Sequence, residues 1–600
     1  MEFDIDFGTL NQAPEPEDDG PLCASIDGMV AQLSGEECVF QVRDSDAVHV
    51  MTLDVLQAMN AMRTFRPLKE HIDRIEQQLP DLKGRRDAIG RVIEGLMGRG
   101  LVVTSDSILE TATSGDERAE SPTPIVVRTA DRPEQLAKLL ESLSDLEEDM
   151  PVVVIDESSD SQAGEANADH VAGLTDRPAT WLGREWRGRF AAELASSAGV
   201  DQAELAELLD EPDTAAFTGG QVWNAALLLT AGQRPVLLDD DMRWNLREPG
   251  QVRPVVSFRQ SARTPLYFAP GDEALEPALS AAGRDWFAEH RRLCGSGLAA
   301  LKDLEGFSID PDTLRGQSYR ALDRLTREAR IKSTCSGYYG DAAMDTRLWF
   351  YLAPNQASLW RDKSAYFDIM AHPHVAQGFG HVQLGELSQF TPTMVDNTEL
   401  LPPVAPRGRG EDLMFGALVR FLYPHSVCVH LPSLIEHRRV RPHDAENPDA
   451  FVPNASRFFA EFALAHQDEC DASAPADRMA LLAMRYRDIA SASDARRQTM
   501  LREFLGYMRS QIVHQLQAQL TGSSGSPDFW QQAVQDWIEA NGRALTESRP
   551  PRLRGWSGDL DAAGCANALR SDAQRHARWL ALWPQVWSAA QGRFEELIGL

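Results

Sequence analysis

Three consecutive carboxylates, Asp239, Asp240 and Asp241, close the apolar run PVLL in PVLLDDDMRW (235–244). Adjacent anions repel one another, so the triad asks for positive charge from outside its own run. A basic partner or a metal-bridged anion would meet that demand. A solvated acidic loop is the plain alternative. A phosphatase of the DxDx[TV] type does not fit, because Arg243 and Trp244 follow the triad and the motif does not open its domain.

A second acidic pair, Glu411-Asp412, follows the Gly-rich turn RGRG and opens a helix-like segment, LMFGALVRFL. Acids are favoured at a helix N-terminus by the dipole, so a cap accounts for them without chemistry. The chemical reading is a general base. A hydroxyl is a poor nucleophile until a carboxylate within hydrogen-bond reach takes its proton. His437 comes later, in SLIEHRR, where a lone histidine reads as surface, core or ligand.

Elements able to position these groups lie upstream. PIVVRTADRPEQLAKLLESL (124–143) reads as a buried strand, a polar turn and a helix begun by Pro133. PVVVIDESSD (151–160) is a second buried strand that stops in acids and serines. Two such strands joined by a helix place their turns side by side at the carboxyl edge of a parallel sheet, where α/β folds bind nucleotides. Asp156 there would accept a hydrogen bond from a base or a ribose hydroxyl. GGQVWNAALLLTAG (219–232) adds Gly219 and Gly220, which would let backbone approach a ligand closely, with Asn224 near the start of a helix.

The run RTADRPEQLAKLLESL, VVVIDESSD, NAALLLTAG, VLLDDDM resembles the nucleotide-sugar domain of GT-A glycosyltransferases, most closely family 2. The resemblance implies an α/β GT-A domain that transfers a sugar from a nucleoside-diphosphate sugar, UDP-linked by expectation, to an acceptor hydroxyl with inversion. It implies Mn2+ or Mg2+ held by Asp239, Asp241 and His437, with Arg438 or Arg439 neutralising the diphosphate. Thr129, Asp131, Asp156, Glu157, Gly219, Gly220, Asn224, Asp239 and Asp240 would meet the donor, and Asp412 would act as base with Glu411 helping. Two departures stand out: Trp223 precedes Asn224 where the family has Arg, and Glu157 follows Asp156 where it has Asp. The long segment 157–217 is expected to cover the donor.

The bulk composition bounds the rest. Six hundred residues, 43% hydrophobic and 25% charged, predict several globular domains. No apolar run approaches the roughly 20 residues a bilayer demands, and MEFDIDFGTL has no secretory pattern. Seven scattered cysteines without a CxxC pair predict free thiols in a reducing cytoplasm. A net charge of −31 argues against nucleic-acid partners. A DNA-binding regulator using Lys83, Arg85, Arg86 and Arg91 stays as an alternative, whereas a nucleotidyltransferase would need a Gly-rich basic loop that RTADRP lacks.

The expected organisation is an acidic flexible tail (1–35), a small α+β domain (36–110), a linker (111–123), the α/β domain (124–445) and a helical C-terminal domain (446–600). CVFQVRDSDAVHVM reads as a hairpin, followed by three helical segments and the strand LVV. That pattern resembles the winged-helix peptide-chaperone domains that bind leader peptides, which implies a peptide or protein acceptor; a glycan or lipid-linked sugar is the alternative, and a homo-oligomer is left open. SGYYGDAAMDTR (336–347) reads as a loop in which Tyr338, Tyr339 and Asp341 would line an acceptor site, and His372/His374 as loop packing. Trp579, Trp583 and Trp587 share a helix face at i, i+4, i+8, a stripe expected to pack on the α/β domain, with Pro584 kinking that helix or starting a new one.

Overall fold

The computed structural model describes residues 20–600 apart from 44, 116–120, 145, 147–149, 211–217, 260–264, 270, 272, 274, 323, 342–361, 365–373, 439–449, 471, 523–525 and 548. The chain forms two compact units. The first comprises Met1–Asp116, Val255–Gln260 and Gly297–Ala329, and the second Glu117–Pro254, Ser261–Ser296 and Arg330–Leu600.

In the first unit, β1 (Leu22–Ser25) precedes an antiparallel meander of β2 (Gly28–Gln32), β3 (Glu37–Val42) and β4 (Val48–Thr52). There follow α1 (Leu53–Ala61), β5 (Arg66–Pro67), α2 (Leu68–Gln78), α3 (Arg86–Met97), β6 (Val102–Thr104) and α4 (Ser105–Ala112). The expected hairpin and three helices are therefore present. Thr52 and Thr104 start α1 and α4 by accepting backbone N–H groups of Val55 and Ser107. Residues 22–32 are not a tail, because β1 is buried between β5 and β6 and β2 pairs with β3. Nor does the α/β domain run unbroken from 124 to 445. Phe65 N–H donates to Gln317 O (2.8 Å), Gly316 N–H to Phe65 O (2.8 Å), and Arg315 pairs with Glu70 (2.7 Å), so 297–329 completes the first unit.

The second unit is mixed α/β, with one large mixed sheet and a C-terminal helical region. Its opening elements are β7 (Ile125–Thr129), α5 (Pro133–Leu143), β8 (Val152–Asp156), α6 (Ser161–Ala172), β9 (Ala179–Leu182), α7 (Arg184–Ala198), α8 (Gln202–Leu209), α9 (Gly219–Leu229), β10 (Val236–Asp239) and β11 (Met242–Pro249). The apolar runs at 125–127 and 152–155 are buried on both faces, as parallel strands require. The chain steps outward from β7 to β8 to β9, then returns to lay β10 parallel to β7 on the other side. The order thus reverses between β7 and β10, the kind of switch point at whose carboxyl ends α/β sheets bind ligands.

Beyond β10, and after α10 (Trp286–Leu293), the sheet continues through β12 (Arg330–Asp341), β13 (His374–Gln377), β14 (Val382–Gly385) and β15 (Thr393–Val395). After α11 (Glu411–Leu422) comes the long β16 (Ser426–Arg438), parallel to β12 and antiparallel to β11 and β14. Residues 336–341 are thus strand rather than loop, and His374 is a strand residue paired with Asp341. Two glycines make this pairing fit. A Cβ at 337 would lie 2.3 Å from Gln377 O, and one at 340 (φ +104) 2.5 Å from His437 O.

The helices α12 (Ala455–Ala465), α13 (Pro475–Ser491), α14 (Asp494–Gly522), α15 (Asp528–Thr546) and α16 (Ala562–Ala590) follow. They are not an independent domain, because α12, α13 and α16 share one core with α7, α8, α9 and α11. Of segment 157–217, expected to cover a donor, residues 182–209 contribute much of that core, and 211–217 lie outside the described residues. The tryptophan stripe packs as expected. Trp579, Trp583 and Trp587 are buried, and their indole N–H groups donate to Glu207, Leu401 O and Asn397. A single helix runs through Pro584.

Candidate functional site

Strand register sets the site. β10 and β7 pair so that Asp239 lies opposite Arg128. The Arg128 guanidinium reaches Asp239 Oδ1 at 2.6 Å, and Thr391 Oγ1 donates to Asp239 Oδ2 at 2.7 Å. One step on, Thr129 Oγ1 donates to Asp240 Oδ2 (2.8 Å) and Arg132 Nη1 to Asp240 Oδ1 (3.1 Å). Arg132 also lies 3.4 Å from Asp241 Oδ2. Arg132 thus serves two carboxylates, and the buried Arg243 guanidinium, bonded to Asp240 O at 3.0 Å, adds a third positive charge beside the triad.

The third carboxylate is the least satisfied of the three. Asp241 Oδ1 is buried and makes no hydrogen bond. His437 Nε2 faces it at 3.4 Å, while His437 Nδ1 lies 2.8 Å from Asp341 O. A carbonyl only accepts, so Nδ1 carries the hydrogen and Nε2 faces the carboxylate oxygen. A proton or a cation between Nε2 and Oδ1 completes the contact. β16 fixes this arrangement, since His437 pairs with Met242 and Arg438 N–H donates to Asp241 O at 2.7 Å.

Burial governs the electrostatics. It raises Asp240 to about 6, aided by repulsion from Asp241. Burial also raises Asp241, against the opposing pull of His437. At the start of α11, burial and the neighbouring Asp412 lift Glu411 to about 7, and burial lifts Asp412 as well. Gly410 at φ 86 occupies the N-cap position, so neither acid is the cap; the Asp412 carboxylate accepts Leu413 N–H at 2.7 Å. Arg128 joins the two halves of the site. Burial opposes its charge, but Asp239, Glu411 and Glu157 hold it firmly cationic, and its guanidinium lies 4.9 Å over the Trp223 ring.

Several residues expected to meet a ligand are instead engaged within the fold. Asp156 accepts from Ser158 N and Oγ, Asn167 Nδ2 and Trp181 Nε1, which fills its acceptor sites. Asn224 is fully buried and bonds Leu208 O and both backbone groups of Val404. Gly220 is tight against Ala405, whose O would lie 1.9 Å from an added Cβ, so the close approach of this glycine is to backbone; Gly219 begins the same buried helix. Glu157 pairs with Arg187 at 2.8 Å. Asp131 (φ 54) accepts from Ser159 and Asp160; these bonds lower its pKa although partial burial raises it, and they staple the β7 turn to the β8 turn. Tyr338 and Tyr339 bond Gln377 and Asn245 O. Arg439 and His372 lie outside the described residues.

The structure therefore brings together Thr129, Asp239, Asp240, Asp241 and His437, with Glu411 and Asp412 electrostatically linked through Arg128. Arg128, Arg132 and Thr391 were not assigned from sequence. An arginine closing an apolar strand beside the triad was the available signal for Arg128; nothing local marks Thr391. Chemically, the arrangement offers carboxylate oxygens and an imidazole to a cation, guanidiniums to an anion, and raised carboxyls to a proton. A scan against protein-family models and a search of curated proteins find no match for this chain. Among the described residues, no helix is long and apolar enough to cross a membrane.

Proposed function

We propose that the chain is a metal-dependent glycosyltransferase on a GT-A fold, moving a sugar from a nucleoside-diphosphate sugar to an acceptor hydroxyl. The reading rests above all on the buried Asp241 Oδ1 facing His437 Nε2 at 3.4 Å. Oxygen and imidazole donors at the carboxyl ends of β7 and β10, where the strand order reverses, fit Mn2+ or Mg2+, held by Asp241 and His437 with Asp239 adjacent. When bound, that ion would offset the charge of the donor diphosphate and of the leaving group.

The chain's own groups supply the rest. Arg128 and Arg132, now held by the triad, are the cations within reach of a diphosphate, and they stand in for the arginine that Trp223 replaces. Asp412, raised by burial, takes the acceptor proton, and Glu411 beside it sets the charge of the pair. Asp131 orders the turn that borders the proposed donor site. Calorimetry with UDP, with and without Mn2+, tests the reading. Affinity that depends on Mn2+ in the natural chain and disappears in Asp241→Asn supports it, and equal affinity in both chains overturns it.

A further inference from the structure

Well away in sequence from the triad, one row of the second unit's sheet is polar and polarisable. Thr393 is in register with Cys335, Cys335 with His430, and His430 with Gln383. Two residues along each strand, Ser333 pairs with Cys428, and Cys428 with Gly385. A sheet buried on both faces ordinarily fills such positions with Val, Ile and Leu. Cys335 Sγ is 3.3 Å from Cys428 Sγ and 3.2 Å from Thr393 Oγ1. One ligand atom from each of Cys335, Cys428 and His430 lies within 4.8 Å of the other two, and all three residues are buried.

The surroundings hold the imidazole in place. Its Nε2 lies 3.3 Å from Glu386 O, and its ring is tilted against Phe379 at 5.1 Å between centroids. A Cβ on residue 385 would come 3.0 Å from the same ring, so Gly385 leaves the space it occupies. Backbone support of a histidine ring is what a metal-binding imidazole uses to fix its orientation. Two thiolates bound to one zinc at roughly 2.3 Å stand about 3.8 Å apart in tetrahedral geometry, so only small side-chain shifts separate these sulfurs from ligand positions.

We propose that Cys335, Cys428 and His430 bind one thiolate-seeking d10 cation, Zn2+ or Cu+, at a site distinct from the hard-cation site at the triad. Two S–H bonds break, their protons leave to solvent, and two metal–sulfur bonds form with no change of oxidation state. The ion would cross-link β12 and β16, the strands whose far ends carry Asp341 and His437.

Full-length chain stripped of metal and titrated with Co2+ as a probe for Zn2+ tests this. One equivalent should give a near-ultraviolet thiolate-to-cobalt charge-transfer band that Zn2+ displaces. The band should be absent from Cys335→Ser and Cys428→Ser but unchanged in Asp241→Asn. A parallel titration with Cu+ against a chromophoric Cu+ chelator decides which ion is held more tightly. Should the serine variants fail to fold, the natural chain still answers, because one equivalent of the preferred ion should raise its melting temperature. No charge-transfer band and no Cu+ retained by folded natural chain would overturn the proposal, as would a band that survives both serine substitutions.

Discussion

Replacing Asp240 by Asn should make the protein more stable at neutral pH. The ion pair with Arg132 argues for a stabilised carboxylate, yet the pKa is raised. Arg132 is 39% exposed and screened by solvent, whereas the Asp240 side chain is 4% exposed and stands beside Asp241. Burial wins. The folded chain holds this proton up to a pH of about 6, against an ordinary value of 3.8. At about 1.36 kcal/mol per pH unit, the ionised group costs the fold roughly 3 kcal/mol. The sign follows from proton binding. A raised carboxyl favours the fold's protonated form, so the cost is absent below the unfolded value, grows from about pH 4 to 6, and is complete above it. Asparagine keeps an oxygen for Arg132 and turns its amide NH2 toward the Thr129 hydroxyl, which can accept as well as donate, and Arg132 keeps Asp241. Urea unfolding followed by tryptophan fluorescence reads the second unit alone, since all thirteen tryptophans fall within it. Asp240→Asn should gain up to about 3 kcal/mol at pH 8 and nothing near pH 3.5. A variant equal to or weaker than the natural chain at pH 8 would refute the reasoning.

Three further outcomes follow from other parts of the site and core. Asp412→Asn should lower the transfer rate by roughly 10²–10⁴ while nucleotide affinity, measured calorimetrically, stays nearly constant; normal turnover would return the pair to a structural role. Glu411 titrates at about 7 and Asp412 is raised beside it, so the transfer rate should climb as pH rises through about 7 and then level off; a rate–pH profile flat from 5.5 to 8, read at about half-unit steps, contradicts a base in this pair. Trp583→Ala removes a fully buried indole and its bond to Leu401 O, at a cost of about 3–5 kcal/mol, so melting temperature should fall; unchanged stability would show the stripe to be an exposed platform instead.

Much of the scaffold was legible because buried strands and amphipathic helices write their period locally. The runs at 125–127, 152–155 and 236–238 are strands, and the tryptophan stripe faces the core. What local pattern cannot carry is which distant segment completes a unit, so 297–329 read as part of the α/β domain although its backbone pairs with Phe65. The glycines of SGYYG suggested a loop, whereas Gly337 and Gly340 serve close strand contact. Composition likewise hid β1 and β2 behind the acidic N-terminus. In the site, residue type suggested chemistry that geometry assigns elsewhere: Asp156 and Asn224 are polar because the turns and loops they anchor must be satisfied. Asp241 and His437 are brought together by strand pairing over almost two hundred residues of sequence.

Donor turnover tests the central claim most directly. The full-length chain is incubated with each of a panel of nucleotide sugars and Mn2+, and released nucleoside diphosphate is measured. At least one donor should be consumed, with the signal abolished by a metal chelator and by Asp241→Asn. If the folded chain consumes no donor, or consumes one equally well with the chelator present and with Asp241 replaced, the triad is not a metal-dependent nucleotide-sugar site.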